Sequence, residues 1–396
     1  MRRLAPLALA ALLAAGCGGH RSPATDAAEL VPATASAYVI VAPNGLARAR
    51  TLLATFGSPG DAIPYLRAGH TARLAGGIVG FARPVDEKAF SKRLDRVGEP
   101  HAKLRGWIVY ARTKALVDVV RHSKRSLADT GRYRRASKAL PGDALVRAYV
   151  VGPTAAWRTA ALTTHSHDEK LEVRTPAPRA ASPPSSIAGE IPASAVVAVS
   201  SASGALPPGA SAPVHVLSRA LGADIAAPVA AAGGPFVLYA TPGEPVPDVT
   251  FATAAPASRT LLLGLRALVR ALAGIPVPKP PATVDLGPVT LTYGRIAGQV
   301  VLSDAADPAA ELAGGTKLSG NASFRAAAKA AALPAANDGF FYVDAKRTLA
   351  AARALSALAN RPVPPALERA LAPLSTLLDW QATGDGVRTV TYLRVP

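Results

Sequence analysis

Short apolar runs alternate with longer amphipathic stretches along most of the chain, the pattern of strands separated by helices. Ala37–Val41, Ile78–Ala82, Trp107–Ala111 and Ala144–Val151 read as strands, the second introduced by the turn Gly76-Gly77. Leu46–Phe56 and Asp86–Val97 read as helices, the latter with Asp86 near its N-terminus. Thr113 is expected to cap a helix in which Leu116, Val117 and Val120 share one face and Lys114, Arg121 and Arg125 lie on another. Asp129 or Thr130 then caps a short helix whose Tyr133, Ala136 and Leu140 face inward, stopped by Pro141-Gly142. Ala160–Thr164 and Lys170–Thr175 read as a hairpin around His165-Ser166-His167-Asp168-Glu169.

The stretch RTPAPRAASPPSSIAG, from Arg174, has little to bury and reads as a linker; beyond it the pattern starts again. Ile191-Pro192-Ala193-Ser194 precedes the strand Val196–Ser200, as Val31-Pro32-Ala33-Thr34 precedes Ala37–Val41. Gly233-Gly234 introduces Phe236–Ala240, a helix is predicted over Ser258–Leu272, and strands over Val289–Tyr293 and Gln299–Ser303. The segment from Lys317 parallels the one from Ser126. Leu318 and Phe324 match Leu127 and Tyr133, Pro334 and Tyr342 match Pro141 and Tyr149, and Asn321 takes the capping role. Helices at Lys346–Leu358 and near Pro365–Leu371, and a hairpin of Leu377–Thr383 with Val387–Val395, complete the chain. The expected fold is α+β, a tandem duplication of a unit with a mainly antiparallel sheet covered by helices on one face. The expected organisation is a signal peptide over 1–16, a tether over 17–30, a first repeat over 31–175, a linker over 176–190 and a second repeat over 191–396.

The N-terminus breaks this pattern. Arg2 and Arg3 precede an apolar run, Leu4–Ala15, too short to stay in a bilayer as a span, and the run ends at Ala15-Gly16-Cys17. A basic start, a short apolar segment and a small-small-Cys ending resemble the lipobox of bacterial lipoproteins. That resemblance implies a diacylglyceryl group on Cys17, cleavage before it, and an extracytoplasmic protein anchored to the cell membrane. Two acyl chains on one residue make a stable anchor, whereas one holds only marginally. Cys17 is the sole cysteine, so no internal disulfide is available.

Charge adds one feature. The formal net charge is +18, and residues 17–190 contribute +12 of it against +4 from 191–396. Arg112, Lys114, Arg121, Lys124, Arg125, Arg132, Arg134, Arg135 and Lys138 face only Asp118 and Asp129. Two readings stand. The run is a solvated face enriched in Arg by a GC-rich coding bias, or Lys114, Arg121, Lys124, Arg125, Arg132, Arg135 and Lys138 form a patch for anionic lipid headgroups or cell-wall polymers. Nucleic acid is not the expected partner, because aromatic residues interleave too sparsely for stacking.

Catalytic signatures are missing: no His-Glu-x-x-His, Gly-x-Ser-x-Gly or Ser-x-x-Lys pattern stands in a suitable context. His165, His167, Asp168 and Glu169 are the densest metal-type group, but no second ligand group accompanies them, so they read as a polar hairpin tip and no metal or cofactor is expected. Asn321-Ala322-Ser323 fits a helix cap better than a glycosylation site.

The residues Leu127, Tyr133, Leu140-Pro141 and Tyr149-Val150, and again Leu318, Phe324, Leu333-Pro334 and Tyr342-Val343-Asp344, resemble an uncharacterised family of exported proteins from high-GC Gram-positive bacteria. The likeness covers most of 31–396, its motifs are structural, and it implies no activity. Val151 stands where the second copy has Asp344, so a role for that Asp would exist once. The expectation is a non-enzymatic, lipid-anchored envelope protein acting as a binding or structural module. The alternative is a carrier that shelters a lipid or other apolar ligand.

Overall fold

A computed structural model describes, in the main, residues 26–42, 69–152, 157–176, 186–207, 233–254, 259–286 and 289–395. All of the predicted helix at Leu46–Phe56 but Leu46 and Arg48, together with the signal segment and most of the Pro-rich linker, lies outside the described residues. The chain divides into two compact units, one of Met1–His165 with Leu171–Pro176 and one of Ser166–Lys170 with Ala177–Pro396.

In the first unit, β1 (Ala37–Val41) is central, with β2 (Gly69–Leu74) on one side and β6 (Val146–Val151) on the other. β3 (Gly77–Ala82), β5 (Trp107–Ala111) and β4 (His101–Leu104) extend one edge, and β7 (Trp157–His165) extends the other. All these pairings are antiparallel, in the order β4-β5-β3-β2-β1-β6-β7. β8 (Asp168–Thr175) follows β7 after the turn at Ser166 and His167.

The second unit is built in the same order. β9 (Val197–Ser201) lies between β10 (Phe236–Thr241) and β15 (Gly339–Asp344). β11 (Asp248–Thr253), β14 (Gln299–Ser303) and β13 (Thr290–Ile296) extend one edge, and β16 (Thr376–Thr383) and β17 (Val387–Arg394) the other. One further strand, β12 (Ala282–Asp285), pairs with β13.

The registers agree as well as the order. Ala37 faces Arg73 and Val150 in the first unit, and Val197 faces Ala240 and Val343 in the second. Val79 opposite Ala111 corresponds to Thr250 opposite Ser303, and Val146 opposite Leu162 to Gly339 opposite Gln381. Pro32 bridges Ser126 as Pro192 bridges Lys317, and the Leu127 and Leu318 amides donate to the Val31 and Ile191 carbonyls at 2.6 and 2.7 Å. Each unit begins with a 3-10 turn, Ala27–Glu29 and Ser186–Glu190. These turns fall inside the stretches read as tether and linker. Ala27 and Ala28 are fully buried, so order starts earlier than composition suggests.

Helices cover both faces of each sheet, not one face as expected. In the first unit α1 (Glu87–Arg96) packs Phe90 and Leu94 against Ile108 and Tyr110. On the other face, α2 (Lys114–Arg121) and α3 (Gly131–Lys138) pack Leu116, Val117, Val120, Tyr133 and Ala136 against Tyr38, Phe81, Val109 and Tyr149. Successive strand residues point to opposite faces, so a strand buried on both sides, such as Trp107–Ala111, can serve both cores. In the second unit α4 (Arg259–Ala273), α7 (Ala345–Leu358) and α8 (Pro365–Leu371) contribute Leu265, Leu349 and Leu371 to one core. α5 (Pro308–Ala313) and α6 (Ala322–Ala330) contribute Leu312 and Phe324 to the other, around the fully buried Trp380.

Candidate functional site

Cys17 lies outside the described residues. The basic segment is fully described. The 3-10 turn Leu127–Asp129 joins α2 to α3, and burial of Val120, Leu127 and Tyr133 fixes which sides of these elements face solvent. Lys114, Arg121, Lys124, Arg125, Arg132, Arg135 and Lys138 are all exposed. The two carboxylates among them are already engaged. Asp118 accepts from Lys114 at 2.5 Å and lies 3.6 Å from Arg121, and the Lys114 hydrogen bond holds its carboxyl below the usual range. Asp129 accepts the backbone amide and hydroxyl of Ser126, both at 2.8 Å, which lowers its pKa likewise. Lys124, Arg125, Arg135 and Lys138 make no ion pair with a described residue.

Sequence reasoning missed a polar chain on the same face of this sheet. Tyr38 and Ile40 of β1, His70 of β2, and Arg147 and Tyr149 of β6 point towards α2 and α3, with Ile40 opposite both His70 and Arg147. Tyr38 Oη donates to Asp26 Oδ1 at 3.0 Å and lies 2.6 Å from His70 Nδ1. One hydroxyl carries one proton, so His70 is assigned as the neutral Nδ1–H tautomer donating to Tyr38. Asp26 Oδ1 also accepts the Ala28 amide at 3.1 Å, starting the first 3-10 turn.

The surroundings keep His70 neutral. Its ring meets Trp107 edge-on at 4.8 Å, and the Arg83 guanidinium sits over that indole at 4.5 Å. Burial, aided by Arg147 and Arg83 and opposed by Asp26, lowers the His70 pKa to about 4. Burial and the Asp26 carboxylate raise the Tyr38 and Tyr133 hydroxyls well above their usual range. The Nε atoms of Arg83 and Arg147 are buried and have no hydrogen-bond partner among the described residues. The sequence clue was Arg147, two residues from Tyr149 in an otherwise apolar strand, and therefore on the core-facing side.

Register shows that this chain belongs to one unit only. The second-unit counterparts of Tyr38, His70 and Arg147 are Ala198, Val237 and Phe340. The second unit has its own polar group elsewhere, where Glu311 accepts from Tyr239, Thr241 and Thr250 at 3.2–3.4 Å. The register counterparts of those three residues are Ala72, Leu74 and Val79. The apolar frame is therefore common to both units and the polar fittings differ.

The hairpin residues do not form one polar tip. His165 is exposed beside Asp143 at 3.5 Å, and Glu169 is buried. Asp168 accepts from Tyr392 at 2.7 Å and pairs with Arg394 at 3.3 Å. No group of three metal-type side chains occurs among the described residues. A cleft of about 320 Å³ in the second unit is lined by Ser323, Asp344, Lys346, Arg347, Tyr392 and Arg394. Asp344 accepts the Arg347 amide at 3.1 Å, so in this structure it begins α7. No helix of the described residues is long and apolar enough to cross a membrane. Comparison with protein-family models, curated proteins and solved structures finds no match for the chain.

Proposed function

We propose that the protein is a lipid-anchored, extracytoplasmic envelope protein whose two units descend from a tandem duplication and serve as a non-catalytic binding or structural module. The observation that carries the scaffold reading is the agreement of strand order and register between the units. The elements they share are apolar strands, turns and caps, including Thr130 and Asn321, whose side chains accept the Tyr133 and Phe324 amides at 3.3 and 3.0 Å. The anchor reading rests on Arg2, Arg3, the apolar run to Ala15 and the Ala15-Gly16-Cys17 ending. The second reading, a carrier of apolar ligands, has only the cleft of the second unit to draw on among the described residues, and that cleft is lined by hydroxyl-bearing and charged side chains together with Ala327.

Fractionation tests the anchor. Wild type is expected in the membrane pellet with an acylated Cys17 by mass spectrometry, and Cys17→Ala is expected to lose processing and lipid together. An unmodified thiol in the wild type rules the anchor out.

A further inference from the structure

The geometry points to the exposed side of α2 and α3 as the surface by which the first unit lies against an anionic lipid bilayer. This deepens the proposed function and rests on its anchored N-terminus.

The second unit supplies an internal control for the charge. Register and the cap alignment match residues 112–138 to 304–329. The first segment holds nine Lys and Arg against two Asp, a net of +7. The second holds Lys317, Arg325 and Lys329 against Asp304, Asp307 and Glu311, a net of zero. A coding bias towards Arg acts on both segments alike and does not produce that difference. The excess therefore belongs to this one surface.

The path of the chain favours a bilayer over a polymer. Asp26 is bound to Tyr38, and the segment after it runs beside the patch: the Ala33 amide donates to the Arg125 carbonyl at 3.0 Å and the Leu127 amide to the Val31 carbonyl at 2.6 Å. Only eight residues lie between Cys17 and Asp26, a reach of about 30 Å when fully extended. A lipid at Cys17 thus lets the side of the fold where Ala33 meets Arg125 reach the headgroups, and the exposed cations around Arg125 with it. Cations act on a charged surface only within about a Debye length, so this placement matters. The cationic side chains are Lys and Arg without an ordered cradle, which suits a laterally fluid array of phosphodiesters held by Coulomb attraction.

The test uses the full chain carrying Cys17→Ala, which cannot be acylated, and cosedimentation with phosphatidylglycerol vesicles. Phosphatidylcholine vesicles run in parallel remove any contribution of the apolar N-terminal stretch. K124Q/R125Q/R135Q/K138Q is expected to weaken binding to the anionic vesicles by about a hundredfold or more. K88Q/K92Q/R93Q/R96Q removes the same charge from α1, on the opposite face of the sheet, and is expected to change binding by less than about fivefold. Equal losses in the two variants, or wild-type binding by the first, overturn the assignment, provided circular dichroism shows both folded. Tighter binding to soluble poly(glycerol phosphate) than to vesicles overturns it in favour of a wall polymer. An unacylated Cys17 in the wild type, with vesicle binding intact, removes the anchor and leaves the surface.

Discussion

Replacing His70 by valine, the residue the second unit has at the same register position, isolates the pH sensitivity of the buried polar chain. In the folded protein His70 faces Asp26 through Tyr38, with Arg147 and Arg83 nearby, and its pKa falls from 6.5 to about 4. A base held below its unfolded pKa binds fewer protons in the folded state. Its contribution is therefore complete above pH 6.5 and is lost as pH falls towards 4, at about 1.4 kcal/mol per pH unit. Over that window the loss reaches about 3 kcal/mol, after which the folded state protonates too and the slope vanishes. Urea unfolding at pH 7.5, 6.0, 5.0 and 4.5, read by fluorescence, follows it, because Trp107 touches the imidazole. The quantity of interest is the difference between wild type and His70→Val, since carboxyls such as Asp379, raised by burial, respond with the opposite sign. The variant is expected to lose the fall below pH 6.5 while retaining most stability at pH 7.5. Identical pH profiles for the two proteins would refute the reasoning.

Three further outcomes follow from packing and backbone geometry. Trp380→Ala empties a fully buried site and orphans the Ala331 carbonyl, which the indole reaches at 3.1 Å; a loss of about 3–5 kcal/mol in urea unfolding is expected, and less than about 1 would contradict the packing. Asn321→Ala removes both the cap on Phe324 and the bond from its amide to the Ala193 carbonyl at 2.8 Å, so it is expected to cost about 1–2 kcal/mol in urea unfolding, and a loss below about 0.5 would contradict the cap. Gly339 has φ +153°, and a Cβ there would meet the Ser200 carbonyl oxygen within 2.3 Å; Gly339→Ala is expected to destabilise by more than about 1 kcal/mol, and an unchanged thermal midpoint would show that the β9–β15 contact is looser than described.

Strands buried on both sides were legible in sequence: β1 coincides with the apolar run Ala37–Val41, and β5 with Trp107–Ala111. β2, β4 and β12 were not. GHTARL, HAKL and ATVD carry polar residues and bury only some positions, so their strand character comes from their neighbours. Thr113 occupies the start of α2 without a side-chain bond to it, and Thr130, not Asp129, caps α3. The basic surface was legible because its members are close in sequence. The Asp26–Tyr38–His70 chain was not, because its members come from a turn and two strands and each is unremarkable alone. Both 3-10 turns were hidden in the same way, inside stretches whose small residues read as linker.

Strand β1, which follows the ordered segment from Asp26, occupies the middle of its sheet with five residue pairs along each flank. A pull applied through that segment along the strand loads both flanking ladders together, in shear. Bonds at a sheet margin would instead peel apart one after another. Tension entering from the N-terminus meets first the Asp26–Tyr38 bond and the turn at Ala27–Glu29, and only after these yield does it load β1.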